Sequence, residues 1–89
     1  MAKKRERLEI INDILSVIRD NSKIKPTRLL YSSNLSPQMF KEYINELLDK
    51  SFVEEVKEKN KRFYSLTDKG YKFLERYKIF TDFVDEIGL

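Results

Sequence analysis

Two groups of side chains in this 89-residue sequence have types and spacing that could do chemistry, and that chemistry is recognition of a polyanion. Lys57, Lys59, Lys61 and Arg62 crowd one short stretch, opposed locally only by Glu58. Cations so placed would make Coulombic contact with backbone phosphates, or put an arginine into a minor groove. Gln38, Lys41 and Asn45 recur at helical spacing on one polar face. The Gln38 and Asn45 amides each set a donor beside an acceptor, the pattern that pairs with an adenine edge. Lys41 and Arg28 would serve nearby phosphates or guanine. The competing explanation is plain solubility, because exposed charged loops often carry no ligand.

Bond-making chemistry has little to work with. The chain has neither Cys nor His. That removes any disulfide framework and the usual soft or borderline metal sites. It also removes the commonest members of nucleophile–base pairs. Glu54-Glu55 and the Asp82, Asp85, Glu86 group read as solvated faces rather than acid–base or Mg²⁺ sites. No P-loop or paired-carboxylate spacing stands out. No catalytic residue, metal, cofactor or small-molecule ligand is therefore expected, and the chain does not read as an enzyme. The start Met-Ala-Lys-Lys-Arg-Glu-Arg has no apolar core of a secretory signal, and no run approaches a membrane span. A soluble cytoplasmic protein is expected.

Charge is 37% of the composition, with the Lys and Glu bias common among thermophiles. The net charge is only +3, but it is unevenly placed. Beyond Lys78 the only charges are Asp82, Asp85 and Glu86, so removing those three leaves +6 on the residues up to Lys78. A basic body with an acidic tip suits a polyanion partner. Lys3, Lys4, Arg5 and Arg7 form a basic arm that would either track phosphates or simply solubilise the end.

The elements that must position these groups follow from periodicity. Length and a 40% hydrophobic share fit one domain with a modest core. A first helix is expected from about Arg7 to Asp20, with Leu8, Ile11, Ile14, Leu15 and Ile18 on its stripe. Ile10 lies off that stripe, facing another element or a partner chain. Ile24 precedes Lys25-Pro26 and is biased toward extended geometry, so a short strand or bridge fits there. A short second helix, about Pro26 to Ser32, sets Leu29 and Leu30 on the core. Asn34 is the turn residue best suited to a left-handed backbone.

The clearest local signal comes next. Ser36 has the chemistry of an N-cap and Pro37 that of a first helical residue. Leu35 and Phe40 have the spacing of a hydrophobic staple. Phe40, Ile44, Leu47 and Leu48 make an apolar stripe over about Ser36 to Lys50. Two helices joined by so short a turn form a helix-turn-helix, or a structural helical corner without a ligand. The Phe52–Leu66 stretch then reads as a β-hairpin whose tip lies near Asn60, with Tyr64 and Leu66 facing the core. Phe52 and Val56 share a parity that Val53 does not, so either both faces are partly covered or a bulge intervenes.

A last helix is capped by Thr67, with Asp68 in its first turn and Gly70 weakening that turn slightly. It is expected to run to about Ile87. Phe73, Tyr77, Phe80, Val84 and Ile87 alternate steps of four and three, a heptad seam. That is more apolar surface than one side of so small a body covers. The seam pairs with a second copy as a coiled coil, or folds back over the first helix as ordinary core.

This order of helix, strand, helix, helix, hairpin and helix is that of a winged helix-turn-helix. The fold class is mainly α with a small β-hairpin: a body over residues 1–66 and a C-terminal dimerisation helix over 67–89. The chain also resembles a particular group. The residues that carry the likeness are Ile24-Lys25-Pro26-Thr27-Arg28-Leu29-Leu30-Tyr31, Asn34-Leu35-Ser36, Tyr43-Ile44-Asn45-Glu46-Leu47-Leu48 and Tyr64-Ser65-Leu66-Thr67-Asp68-Lys69-Gly70. They are similar to the small basic archaeal winged-helix proteins, which include the ten-kilodalton DNA-binding proteins of Sulfolobus and related archaeal and viral regulators. The resemblance implies binding of double-stranded DNA as a homodimer built from the C-terminal helices. It implies a recognition helix at Ser36–Ser51, a wing at about Lys57–Arg62 and a dimer helix at Thr67–Ile87. Two features depart from the group: the final helix is short, and the third helix presents Glu42, Glu46 and Asp49, which repel phosphate.

The sequence therefore leads to a nucleoid-associated DNA-binding protein, either a transcriptional regulator or a chromatin-associated one. Its expected DNA-binding residues are Arg28, Ser36, Gln38, Lys41, Asn45, Lys57, Lys59, Lys61 and Arg62. Its expected dimer interface is Phe73, Tyr77, Phe80, Val84 and Ile87. The rival is a winged-helix protein–protein interaction module that does not touch DNA, favoured by the acidic stripe.

Overall fold

Helical periodicity in the first twenty residues produces α1 (Ala2–Asn21), which buries Ile11, Ile14, Leu15 and Ile18 along one stripe. The computed structural model describes residues 2–89, with side chains from Glu6 onward. The helix begins at Ala2 rather than near Arg7, so the expected arm is helical backbone. Nothing in Ala-Lys-Lys-Arg-Glu-Arg breaks a helix, and all of these residues are good helix formers. The Lys3, Lys4 and Arg5 side chains lie outside the described residues. Ile10 is half-buried and packs at the margin of the core.

The chain leaves α1 through Ser22, which has a left-handed backbone (φ 63°). It enters the two-residue strand β1 (Lys23–Ile24) and then α2 (Pro26–Ser33), with Pro26 in the first turn. Asn34 ends α2 at φ 59°, ψ 25°, the left-handed conformation its short amide tolerates. Ser36 then caps α3 (Pro37–Asp49): its Oγ accepts the Met39 backbone N–H at 3.2 Å, with Pro37 at the first helical position. Phe40, Ile44 and Leu47 are buried, while Gln38, Lys41, Glu42, Asn45 and Asp49 are exposed.

Strands β2 (Val53–Glu58) and β3 (Lys61–Leu66) pair antiparallel without a break in register, from Val53↔Leu66 to Glu58↔Lys61. β1 pairs on the other edge of β3, giving the order β1-β3-β2. Val53, Ile24, Tyr64 and Leu66 point into the core. Val56 and its partner Phe63 are half-buried on the opposite face. The parity conflict thus resolves as partial cover on both faces, with no bulge. The two-residue connection Lys59-Asn60 has φ of 48° and 67°, the pair of positive values a type I′ turn requires.

Thr67 caps α4 (Asp68–Glu86), its Oγ1 accepting the Gly70 N–H at 3.2 Å. Leu74 completes a core shared by α1, α2, α3, the sheet and the start of α4. Phe73 meets Phe52 edge-on at 5.9 Å between ring centroids and stacks on Tyr77 at 5.7 Å. The expected seam is therefore divided. Phe73, Tyr77 and Val84 are half-buried against their own chain, with Tyr77 and Val84 lining a groove beside Leu8 and Glu9 of α1. The exposed apolar face is Ile79, Phe80, Phe83 and Ile87, each more than half exposed, with Phe80 also at the edge of that groove. No helix among the described residues is long and apolar enough to cross a membrane.

Candidate nucleic-acid interface

The wing is a rigid mount for its charges. The type I′ turn matches the strand twist and sets Lys59 and Asn60 at the tip, with Lys57 and Lys61 just below. The two carboxylates nearest the tip are both engaged. Glu58 binds Lys23 of β1, whose ammonium also lies 4.9 Å above the Phe63 ring. Glu55 Oε2 receives Arg62 Nε at 2.8 Å. Lys57, Lys59 and Lys61 have no ion pair among the described residues, and with Asn60 and Arg62 they line one open concavity. Three ammonium groups are left facing water at a fixed tip. Arg62 differs from them, because it is held to Glu55 and lies 5.8 Å above the Tyr64 ring. The sequence placed all four cations together as equals; the fold separates one from the others.

On α3, Gln38, Lys41 and Asn45 are exposed, on the side away from Phe40, Ile44 and Leu47. Gln38 and Lys41 belong to the first two turns, next to Ser36, whose hydroxyl oxygen caps the helix. Arg28 is exposed on α2. These residues and the wing lysines are all outward-facing, so none of the sequence-selected cations is lost to the core.

The acidic half of α3 is less acidic than its sequence. Glu46 accepts from Arg7 of α1 and from Lys50 Nζ at 2.9 Å. Arg7 also lies 5.9 Å above the Tyr43 ring. Hydrogen bonding from Arg7, and then from Lys50, holds the Glu46 carboxyl below its ordinary value. The same contact raises Arg7. Glu42 and Asp49 are the exposed acids that remain on this helix. Sequence reasoning did not find the Arg7–Glu46 pair, because it spans 39 residues and exists only once α1 docks beside α3. Tyr31 of α2, which the sequence reading left without a role, is 80% exposed. A helical wheel places Tyr31 on the side of α2 away from Leu29, and that signal was available. Among the described residues no group of three or more Asp, Glu, His or Cys could hold a metal ion.

The comparisons with known proteins agree with this architecture. The model of the winged helix-turn-helix family matches residues 4–84. The Methanocaldococcus jannaschii protein MJ0287 is 36% identical over 78 residues, covering 86% of this chain and 75% of its own length. A second protein of that organism, MJ0290, is 37% identical over 73 residues, 82% of this chain. The chain spans only 32% of the length of MJ0290. Among solved structures, Sso10a-2, a DNA-binding protein from Sulfolobus solfataricus, superposes with a TM-score of 0.72 at 21% identity. The superposition covers 90% of this chain and 82% of that one. This chain has a capped helix behind a short turn, a three-stranded sheet ending in a basic hairpin tip and a closing helix, and with the family model matched over residues 4–84 it belongs to the winged helix-turn-helix family.

Proposed function

We propose that the protein binds double-stranded DNA as a homodimer. The observation that carries the reading is the wing: its carboxylates are engaged elsewhere while Lys57, Lys59 and Lys61 stay free at a rigid tip. Phosphates are the ligand such a cation set fits, and contact with them fixes register on a duplex. The first two turns of α3 enter the major groove, where Gln38 reads base edges, with Asn45 reaching from the next turn. Ser36, Lys41 and Arg28 hold flanking phosphates. Arg62 serves mainly to stiffen the wing through Glu55 and contacts DNA only secondarily. That Sso10a-2 is a DNA-binding protein supports the reading.

The second copy docks on the free face of α4. Ile79, Phe80, Phe83 and Ile87 form a continuous exposed apolar strip at helical spacing, and such strips mark association surfaces. Phe80 and Ile87 come from the expected seam; Ile79 and Phe83 replace Phe73, Tyr77 and Val84, which serve the protomer's own packing. Two wings on one dimer double the phosphate contacts. Glu42 and Asp49 favour the other reading, a protein-docking module, because exposed acids on the recognition helix repel phosphate. Footprinting of the purified protein across genomic DNA at two salt concentrations tests function. Discrete salt-resistant footprints mark a transcriptional regulator, uniform protection marks a chromatin-associated protein, and no protection supports the docking module.

A further inference from the structure

Tyr31 is the most exposed aromatic side chain among the described residues outside the chain end, at 80%. The other exposed aromatics, Tyr71, Phe80 and Phe83, all lie on α4. Tyr31 stands apart from them on α2, with no hydrogen bond or ring contact. A single exposed hydrophobic residue is ordinary, so its surroundings must decide. Residues 21–41 contain Lys23, Lys25, Arg28 and Lys41 but no Asp or Glu, in a chain that otherwise carries 15 acids. This acid-free run spans β1, α2, the turn and the first turn of α3. Within it, Arg28, Tyr31 and Ser32 are exposed at positions i, i+3 and i+4 of α2 and therefore share a face. One cation, one phenol and one hydroxyl on that face offer donors and a flat apolar plate, and no acceptor charge.

The geometry points to this α2 face as a backbone clamp for duplex DNA, in which the Tyr31 ring packs on a deoxyribose and its hydroxyl donates to a phosphate oxygen. The partner chemistry is a phosphodiester strand, chosen by the absence of acids across the whole run and by Arg28, the cation that shares the ring's face. Tyr31 is a positioning residue: it sets the register of α3 without reading a base. The inference rests on the DNA-binding reading above and adds a contact surface to it.

The test uses the full chain and a fluorescent random-sequence duplex. Tyr31→Ala removes both the ring's packing and a hydrogen bond to a charged acceptor, and should weaken binding by more than about tenfold, the loss expected for the hydrogen bond alone. The slope of log K against log salt should not move, since no charge is removed. Tyr31→Phe keeps the ring and should lose less. Arg28→Ala, by contrast, should shallow the slope by about one for each protomer on the duplex. Acetylation by N-acetylimidazole, read by mass spectrometry, gives a measure without a variant. Duplex should protect Tyr31 and leave Tyr71 of α4 reactive. Equal reactivity of Tyr31 with and without duplex, or wild-type affinity for Tyr31→Ala, overturns the clamp while leaving DNA binding intact. Failure of the wild-type chain to bind duplex overturns both.

Discussion

Arg7 of α1 donates to the carboxylate of Glu46 on α3, so the first and third helices are tied by an ion pair across 39 residues. This contact neutralises an acid on the helix that would otherwise repel phosphate, and it fixes the helix against the body. Its strength should depend on pH. The folded pKa of Glu46 is lowered, so the contribution is full above the ordinary Glu value of 4.5 and is lost as pH falls through the lower folded value. Glu46→Gln should therefore cost about 0.5–1 kcal/mol at pH 7, the size of a partly exposed pair. Urea unfolding of the two proteins should converge as pH drops below that of ordinary carboxylates. A constant difference at all pH values would mean that packing, not charge, is lost.

Gly70 should not tolerate a side chain. A Cβ there would lie 2.4 Å from the Phe52 carbonyl oxygen and 3.1 Å from Leu66 Cδ2. In an exposed helix interior, Ala is favoured over Gly by about 1 kcal/mol. Here the backbone of the β2 approach must move, and Gly70→Ala should destabilise by roughly 2 kcal/mol or more. Thermal unfolding checks this: a raised Tm would refute the close approach.

The wing carries the prediction most specific to function. Lys59→Ala/Lys61→Ala removes two of the three free ammonium groups. The slope of log K against log salt should become shallower by about two for each wing on the duplex, and so by about four for a dimer with both wings engaged, with weaker binding at every salt concentration. Both side chains are exposed, so the melting temperature should hold. An unchanged slope would mean that the wing does not touch phosphate.

Dimerisation is assigned to one face of α4. Phe83→Glu places a charge in the exposed strip while leaving the core intact, since Phe83 is 54% exposed. Light scattering should report a folded monomer for this variant and a dimer for the wild type. A dimer that survives Phe83→Glu and Phe80→Glu together would move the interface elsewhere.

Much of the fold was legible because its signals are local. Ser36-Pro37 and Thr67 act through their own turn, and Asn34 takes its left-handed backbone for reasons internal to its side chain. Tyr64 and Leu66 reach the core through simple alternation. What the sequence hid is tertiary. Gly70 looked like a weak point in a helix, and only the approach of the Phe52 carbonyl explains it. The heptad along α4 is real, yet docking on α1 takes Tyr77 and Val84 and leaves Phe83 and Ile79 free. The wing cations read as one group until Glu55 is seen to hold Arg62 and Glu58 to hold Lys23. The start of α1 is hidden for a simpler reason: a run of charge fits an arm and a helix alike, since Lys, Arg and Glu are all good helix formers.

The central claim is that this winged helix binds duplex DNA through phosphate contacts. It is tested most directly by anisotropy of a random-sequence duplex titrated with the wild-type protein over a series of salt concentrations. Engagement of the three free wing lysines alone predicts micromolar or tighter binding at low salt and a log–log slope of about −2.7 or steeper. No binding at micromolar protein in low salt, or binding indifferent to salt, would contradict it.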